Sequence, residues 1–294
     1  MRWQNREGSS NVEDRRRMGP PAMVGGGGIV AVIIAVIIAL MNGQPAEQAL
    51  QQGVQQLQQQ QAAAQAAVGQ GGEIPADDEQ ARFVSVVLKD TEDVWNRLFP
   101  ELVGKPYQEP TLVLFRDAVQ SACGRASSAV GPFYCPGDNN VYLDLSFFEE
   151  MRSKFKAPGD FACAYVIAHE VGHHIQNQLG LSMQVQAMQA KAGKVESNRL
   201  SVRLELQADF LAGVWAHHGQ KMKQFLETGD IEEAIRAAQA IGDDTLQRQA
   251  TGRVVPDAFT HGSAEQRIRW FTQGLRTGNL EDLNLLFELE YDEL

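Results

Sequence analysis

Apolar residues recur at helical spacing through most of the chain after residue 74. Between residues 76 and 99 they fall on roughly one stripe with the period of an α-helix, and two aspartates stand in the first turn. The same period, bounded by residues that begin or end helices, occurs in later segments. It predicts helices at 160–179, with Asp160 as the N-cap, and at 196–217, 229–240 and 263–275.

Two short segments have the composition of β-strands instead. Residues 111–115 read TLVLF and residues 140–145 read NVYLDL, both rich in β-branched and aromatic residues, and Pro110 and the turn sequence PGDNN bound them. A few strands among many helices indicate an α+β fold that is predominantly helical. We expect this domain to occupy residues 74–294, which are enough to bury a sizeable core.

A continuous apolar stretch lies near the N-terminus. Residues 22–41 contain no charge, and this is about the length that a helix needs to cross a bilayer. Five arginines precede the stretch, whereas the next cationic residue after it is Arg82. Because positively charged flanks stay in the cytoplasm, residues 1–21 are predicted to be cytoplasmic and residues 22–41 to form a transmembrane anchor. The domain would then lie outside the inner (cytoplasmic) membrane, in the periplasm or the extracellular space.

Two features of this region leave alternatives open. The apolar stretch also has the length of a signal-peptide core, although no good cleavage site follows, because Pro45 would stand next to a cut after Ala46. Residues 42–73 form a Gln/Ala/Gly-rich tract with few large apolar residues, and we interpret it as a linker. A few apolar residues at helical spacing within this tract leave a short helix or a self-association surface as an alternative.

The net charge limits the classes of binding partner, and the cysteine positions limit the roles that the cysteines can have. The net charge of −11 argues against nucleic acid, because binding to phosphates requires clustered lysine and arginine. Cys123 and Cys135 flank a short loop between the two predicted strands, and in an oxidising compartment they could form a disulfide. Cys163 is interpreted as a buried structural thiol. A zinc site built from these cysteines is disfavoured because the chain contains no CxxC pair.

The predicted helix at 160–179 contains the sequence HEVGH. His169 and His173 are four residues apart, so both imidazoles leave the same helical face and can bind one zinc ion. Glu170 lies beside them, where its carboxylate can accept a proton from a water at the metal without being a ligand. The same motif also occurs by chance on ordinary amphipathic helices. HEVGH alone therefore does not distinguish a zinc site from a solvated helix face.

A catalytic zinc site needs a third protein ligand and one open position. The pattern HExxHxxGxxH does not supply it, because Gln176 and Leu179 stand where glycine and histidine are required. The predicted helix at 196–217 offers Glu205 and Asp209, again four residues apart, on an otherwise apolar helix. We expect Glu205 to bind the zinc and Asp209 to accept the ring N–H of a ligand histidine. An exposed acidic pair on a solvated face is the alternative.

These motifs resemble those of the gluzincin metallopeptidases, in which HExxH is followed by ExxxD. HEVGHHIQ, ELQADFLAG, the N-terminal MRWQ and NVEDRRR, the two-cysteine loop and THGSAEQRIRWF resemble the bacterial neutral zinc metallopeptidase family of the YpfJ type over nearly the whole chain. The resemblance implies a zincin-like metallopeptidase domain, bound Zn²⁺ and a peptide or protein substrate. It also makes His261 and Arg267 candidates for stabilising an oxyanion, although Gly262 replaces a proline that is frequent in the family pattern.

Motifs and resemblance together predict a membrane-anchored zinc endopeptidase in which Glu170 is the general base. We expect an extended substrate to pair with NVYLDL as an edge strand. Two other functions stay open: a zinc-containing scaffold or chaperone-like module without peptidase activity, and an envelope protein in which HEVGH is coincidental. The presence of Glu170 as a possible base argues against the scaffold function, because a structural zinc site would tend to close its fourth position with cysteine or histidine. The sequence does not indicate an oligomeric state.

Overall fold

Helices make up most of the secondary structure in the computed structural model, which describes residues 1–17 and 74–294. The predicted transmembrane anchor at 22–41 and the linker at 42–73 lie outside the described residues. Within the part of the chain that is described, no helix combines the length and the apolarity needed to span a membrane. The mixture of strands and predominant helices confirms the predicted α+β class.

The strands of the described residues are short, and most of the helices follow them in the chain. The strands are β1 (Val12–Asp14), β2 (Thr111–Phe115), β3 (Ala118–Ser121), β4 (Gly124–Ser127), β5 (Phe133–Cys135) and β6 (Asn140–Asp144). The α-helices are α1 (Glu79–Val103), α2 (Ser146–Ser153), α3 (Asp160–Gln178), α4 (Leu181–Gln189), α5 (Lys194–Lys223), α6 (Asp230–Ala240), α7 (Asp243–Thr251), α8 (Ala264–Thr277) and α9 (Leu285–Glu288).

Four of the strands form a mixed sheet in the order β1–β2–β6–β5. β1, β2 and β6 are parallel, whereas β5 is antiparallel to β6, with Tyr134 opposite Val141. β3 and β4 form a separate hairpin. The predicted strands at 111–115 and 140–145 are therefore confirmed as β2 and β6. The prediction that NVYLDL is an edge strand is wrong, because β5 pairs with that side of β6 and takes the edge position itself.

The predicted helices are present, but some of their ends differ from the prediction. α1 begins after Asp78, whose side chain accepts a hydrogen bond from the backbone N–H of Ala81, and it ends at Gly104 in the left-handed conformation. Asp160 is the first residue of α3 rather than its cap. Its carboxylate accepts a hydrogen bond from the indole N–H of Trp3 at 2.9 Å, so it joins the N-terminal segment to this helix.

Small residues allow α3, α5 and α8 to approach one another closely in the main hydrophobic core. A Cβ at Gly172 of α3 would lie 3.0 Å from the carbonyl oxygen of Ala208 in α5. A Cβ at Gly274 of α8 would lie 2.1 Å from the carbonyl oxygen of Phe210 in α5, so no larger residue fits there. These two contacts set the spacing of the three helices that carry most of the predicted site residues.

The N-terminal residues belong to the same packed body as the rest of the described chain. β1 pairs with β2, Trp3 is 5% exposed within the main core, and Arg16 forms an ion pair with Asp14. A strand that pairs with β2 lies on the same side of any membrane as β2. The predicted placement of residues 1–21 across a membrane from the domain is therefore contradicted for residues 1–17.

Candidate metal centre

His169 and His173 leave the same face of α3 one helical turn apart, and their rings are nearly perpendicular with centroids 4.8 Å apart. Glu205 approaches both rings from α5. Its Oε2 lies 3.2 Å from His169 Nε2, and its Oε1 lies 3.4 Å from His173 Nε2. The three side chains thus offer ligand atoms within 4.8 Å of one another, as the sequence predicted for a metal site.

This donor set fits a zinc ion. Zinc binds imidazole nitrogen and carboxylate oxygen at about 2.0–2.2 Å in tetrahedral geometry, which places its ligand atoms about 3.3–3.5 Å apart. The two nitrogen–oxygen separations of 3.2 and 3.4 Å agree with that spacing. Two imidazoles and one carboxylate also leave a fourth tetrahedral position without a protein ligand, as catalytic zinc sites do.

A charged network supports His169 on the side of the ring that faces away from Glu205. The Nδ1–H of His169 donates to Asp209 Oδ1 at 2.8 Å. Asp209 is completely buried, and the guanidinium of Arg267 donates to both of its oxygens, at 2.8 and 3.0 Å. Tyr165, one turn before His169 on α3, donates its hydroxyl to Oδ1 at 2.5 Å. Asp209 therefore lies where the sequence predicted it, against a ligand histidine.

Burial and neighbouring charges shift the pKa values of these groups in opposite directions. Burial lowers the pKa of His169, but the adjacent Asp209 carboxylate outweighs it and raises that pKa to about 9. Burial raises the pKa of Asp209, but the Arg267 guanidinium outweighs it and brings that pKa to about 2. Burial likewise opposes the ionisation of Glu205, yet the two imidazoles hold its pKa well below the usual range. Both carboxylates are therefore ionised at neutral pH.

Arg267 lines the cavity beside the predicted metal ligands. It is 3% exposed and lies on the Asp209 side of His169, where its guanidinium is occupied by that carboxylate. It neutralises the buried charge of Asp209, and its role as an oxyanion donor stays a prediction. His261 lines the same cavity with a side chain that is 53% exposed, and Asp243 accepts hydrogen bonds from its backbone N–H and its ring.

A neutral amide supports the second histidine. Gln176, about one turn after His173 on α3, accepts a hydrogen bond from His173 Nδ1 at 2.9 Å. The amide nitrogen of Gln176 donates in turn to Gln207 of α5 at 2.9 Å. In the sequence, Gln176 served only to exclude the HExxHxxGxxH pattern. Its position three residues after His173, on the same helical face, is the signal that could have identified it as a partner.

Glu170 occupies the position that a general base requires. It is 8% exposed and lines the same cavity as His169, His173 and Glu205. Burial raises the pKa of its carboxyl, and the two imidazoles moderate that increase. Tyr134 of β5 lines the same cavity as this carboxylate. A raised pKa brings a carboxylate closer to the pH at which a base transfers protons efficiently.

A cavity of about 510 Å³ lies in front of the metal ligands. Residues 129–134, which lead into β5, form one wall of it. A disulfide between Cys123 and Cys135 ties this segment to the β3–β4 hairpin, as the sequence predicted, and Cys163 is a buried thiol. Several further side chains give the cavity an apolar lining: Phe147, Phe155, Tyr165, Val166, Ile241 and Leu246. The disulfide loop is thus part of the wall of the site.

Comparisons with known proteins agree with this donor set. Residues 1–286 match a family model described as a putative neutral zinc metallopeptidase. The chain is 47% identical over 301 residues to Uncharacterized protein YpfJ of Escherichia coli (strain K12), which covers 97% of this chain and 98% of the relative. It is 46% identical over 197 residues to Uncharacterized protein Rv2575 of Mycobacterium tuberculosis (strain H37Rv), which covers 63% of this chain and 64% of the relative. No solved structure matches the chain. With this match and this set of zinc-binding side chains, the chain belongs to the neutral zinc metallopeptidase family.

Proposed function

We propose that this protein is a zinc-dependent endopeptidase in which Glu170 acts as the general base. The observation that carries the proposal is the position of Glu170, which lines one cavity together with three ligand atoms that converge within 4.8 Å. A cavity of about 510 Å³ is large enough for a short peptide segment. The family match supports the same reaction class.

The chain's own residues have separate tasks in this mechanism. His169, His173 and Glu205 would hold the zinc ion, which when bound polarises a carbonyl oxygen and acidifies a water molecule. Glu170 would accept the proton of that water on its carboxylate and return it to the leaving amine.

His261 is the candidate donor to the oxyanion that forms at the attacked carbonyl. Its side chain reaches the cavity from the loop before α8, and its hydrogen bond to Asp243 raises the pKa of its imidazole. A protonated imidazole at the cavity wall can donate a charge-assisted hydrogen bond to developing negative charge. Arg267 would contribute only indirectly, by neutralising Asp209 behind the metal ligands.

We assign β5, rather than β6, as the strand that binds the substrate. Among the described strands, only β6 pairs with β5, and the residues leading into β5 line the cavity. An extended peptide can add to such an edge through main-chain hydrogen bonds. Tyr134 of β5 and Glu170 line the same cavity, so a peptide paired along β5 would pass near the general base.

We also propose that the catalytic domain works outside the cytoplasm at a membrane. The disulfide between Cys123 and Cys135 supports an oxidising compartment, and the uncharged stretch 22–41 supports attachment to a membrane with both flanks of the stretch on one side. Because residues 1–17 pack with the domain, they should share its side. In intact cells, a membrane-impermeant maleimide should label Gln4→Cys, which replaces an exposed residue. Labelling only after permeabilisation would contradict this location.

Zinc content and peptide hydrolysis, measured on the full chain, test the proposed reaction. Glu170→Gln removes the base but keeps the ligands, so zinc should stay stoichiometric while hydrolysis of a peptide mixture falls by about 100-fold or more. His169→Ala should lose the zinc. Glu149→Gln, an exposed glutamate of α2, is the matched control and should keep both properties. Stoichiometric zinc without hydrolysis in the wild-type protein would contradict the peptidase and favour a zinc-containing scaffold.

A further inference from the structure

Two buried glutamines connect His173 to the C-terminal segment of the chain. His173 Nδ1 lies 2.9 Å from Gln176 Oε1, and Gln176 Nε2 donates to Gln207 Oε1 at 2.9 Å. Gln207 Nε2 in turn donates to the backbone carbonyl of Leu283 at 2.8 Å. Both glutamines are 0% exposed. Bulk water therefore cannot replace a partner that either of them loses.

The hydrogen bonds of Gln176 leave its amide a single favourable orientation. Both of its N–H groups are used, one by Gln207 Oε1 and the other by the carbonyl of Leu204 at 2.7 Å. A flipped amide would turn its oxygen towards these two acceptors, which is unfavourable in a buried site. The oxygen of Gln176 therefore stays directed at His173, where it can only accept a hydrogen bond.

The orientation of this oxygen determines which nitrogen of His173 carries the proton. A neutral imidazole has one N–H and one lone pair, and the nitrogen that faces an obligate acceptor must be the N–H. Nδ1 is therefore protonated and Nε2 carries the lone pair. Nε2 is the atom that lies 3.4 Å from Glu205 Oε1, at the point where the predicted ligands converge.

We propose that Gln176 and Gln207 are positioning residues that fix the metal-binding tautomer of His173 and couple it to the C-terminal segment at Leu283. Neither glutamine is among the converging ligand groups; both act through the ring of the histidine. The inference rests on the proposed zinc function, because His173 is one of the three ligands. It also gives the segment 280–284 a role, since one of its backbone carbonyls holds the far end of the glutamine pair.

Zinc affinity, measured by competition with a chelator, tests the proposal. Gln176→Leu removes the acceptor and should weaken zinc binding by about 10–100-fold. Asn198→Leu is the matched control, because Asn198 is a buried amide of α5 that donates to the carbonyl of Asp257 at 2.7 Å. It should keep the affinity of the wild-type protein.

A spectroscopic measurement separates positioning from general loss of stability. In the zinc-loaded wild-type protein, nitrogen-15 NMR should show a slowly exchanging Nδ1–H on His173. In folded Gln176→Leu this proton should exchange rapidly, whereas in Asn198→Leu it should not. Gln207→Leu removes the acceptor that orients Gln176 and should speed the exchange as well, so it provides the same test if Gln176→Leu does not fold.

The outcomes distinguish this proposal from the zinc function itself. Equal zinc affinity and equal Nδ1–H exchange in the wild-type protein and in the two leucine variants at 176 and 207 would overturn the positioning role and leave the zinc site intact. A wild-type protein that binds no zinc would overturn the proposed function, and the positioning role with it.

Discussion

The two histidine ligands leave one helix a single turn apart, yet the chain supports them in different ways. His169 donates to Asp209, a buried carboxylate that Arg267 neutralises, whereas His173 donates to the neutral amide of Gln176. A charged acceptor strengthens the hydrogen bond and raises the basicity of the ring. A neutral acceptor fixes orientation and tautomer with little change in basicity. Within one site, His169 therefore has electrostatic support from Asp209, and His173 has mainly geometric support from Gln176.

The two supports also differ in what they require from the fold. Gln176 is three residues from His173 on the same helix, whereas Asp209 is 40 residues from His169 and Arg267 is 98 residues from it. A buried carboxylate without a counter-ion is strongly destabilising. The support of His169 by Asp209, here called the charged support, therefore depends on the packing of α8, which carries Arg267, against α5. The support of His173 by Gln176, here called the amide support, depends on hydrogen bonds of a neutral group, whose burial costs less free energy than the burial of a charge.

The largest effect is expected from removing the cation of the charged support. Arg267→Leu removes the guanidinium that donates to both oxygens of Asp209 and leaves the imidazole of His169 as the remaining cation beside this buried carboxylate, so the free energy of unfolding should fall by about 3–5 kcal/mol. Urea denaturation of the zinc-free protein measures this change. Arg269→Leu, at an exposed position of the same helix, should lose less than about 1 kcal/mol. Similar losses in the two variants would show that Asp209 does not depend on Arg267.

The second-largest effect is expected in the pH dependence of zinc binding, which reports how strongly Asp209 raises the pKa of His169. With a pKa of about 9, His169 carries a proton at neutral pH in the zinc-free protein, and zinc has to displace it. Affinity should therefore increase with pH by up to about tenfold per unit for this one proton, and level off near pH 9. Calorimetry in buffers of different ionisation heats measures the protons released. An affinity that is constant from neutral pH to pH 9 would contradict the raised pKa.

Removing the charge of Asp209 compares the two supports directly. Asp209→Asn should weaken zinc binding by about 10–100-fold, because the ring of His169 loses its anionic acceptor. The measurement belongs above pH 9, where proton competition at His169 no longer contributes. Asp257→Asn, at an exposed position, is the control and should bind zinc like the wild-type protein. We expect this loss to exceed that of Gln176→Leu, because only Asp209 is a charged acceptor, and a smaller loss would contradict that expectation.

The smallest effect is expected from the hydroxyl of Tyr165. Tyr165→Phe removes one of the hydrogen bonds to Asp209 and should lower the free energy of unfolding by about 1 kcal/mol. Tyr107→Phe is a close control, because the hydroxyl of Tyr107 is buried without a hydrogen-bond partner among the described residues. Thermal or urea unfolding should show no loss for that control. An equal loss in both variants would mean that the bond to Asp209 contributes nothing of its own.

Spacing along one helix was sufficient to predict the ligands themselves. Residues four apart share a face of any α-helix, so the pairing of His169 with His173 and of Glu205 with Asp209 follows from their positions in the sequence. The apolar period likewise predicted which segments are helical. The ends of these helices were less predictable, since Asp160 binds Trp3 instead of capping α3.

Features that join distant segments were missed or misplaced. NVYLDL has the composition of a strand, but its place in the sheet depends on β5, which the sequence did not reveal. The basic residues of the N-terminus indicated a cytoplasmic flank. In the structure Arg15 is paired with Glu13 and Arg16 with Asp14 inside the fold. Charge counting cannot distinguish solvated arginines from arginines that are already neutralised by neighbouring carboxylates.

By itself, the sequence determined the helical segments, the residues that can bind zinc and the glutamate that can act as base. Only the tertiary structure decided that Arg267 neutralises Asp209, that Gln176 and Gln207 orient His173, that β5 is the strand beside the base, and that residues 1–17 join the domain. The reason is physical. The face on which a helical residue lies depends on its own helix, whereas burial, pairing and charge neutralisation depend on which distant segments meet.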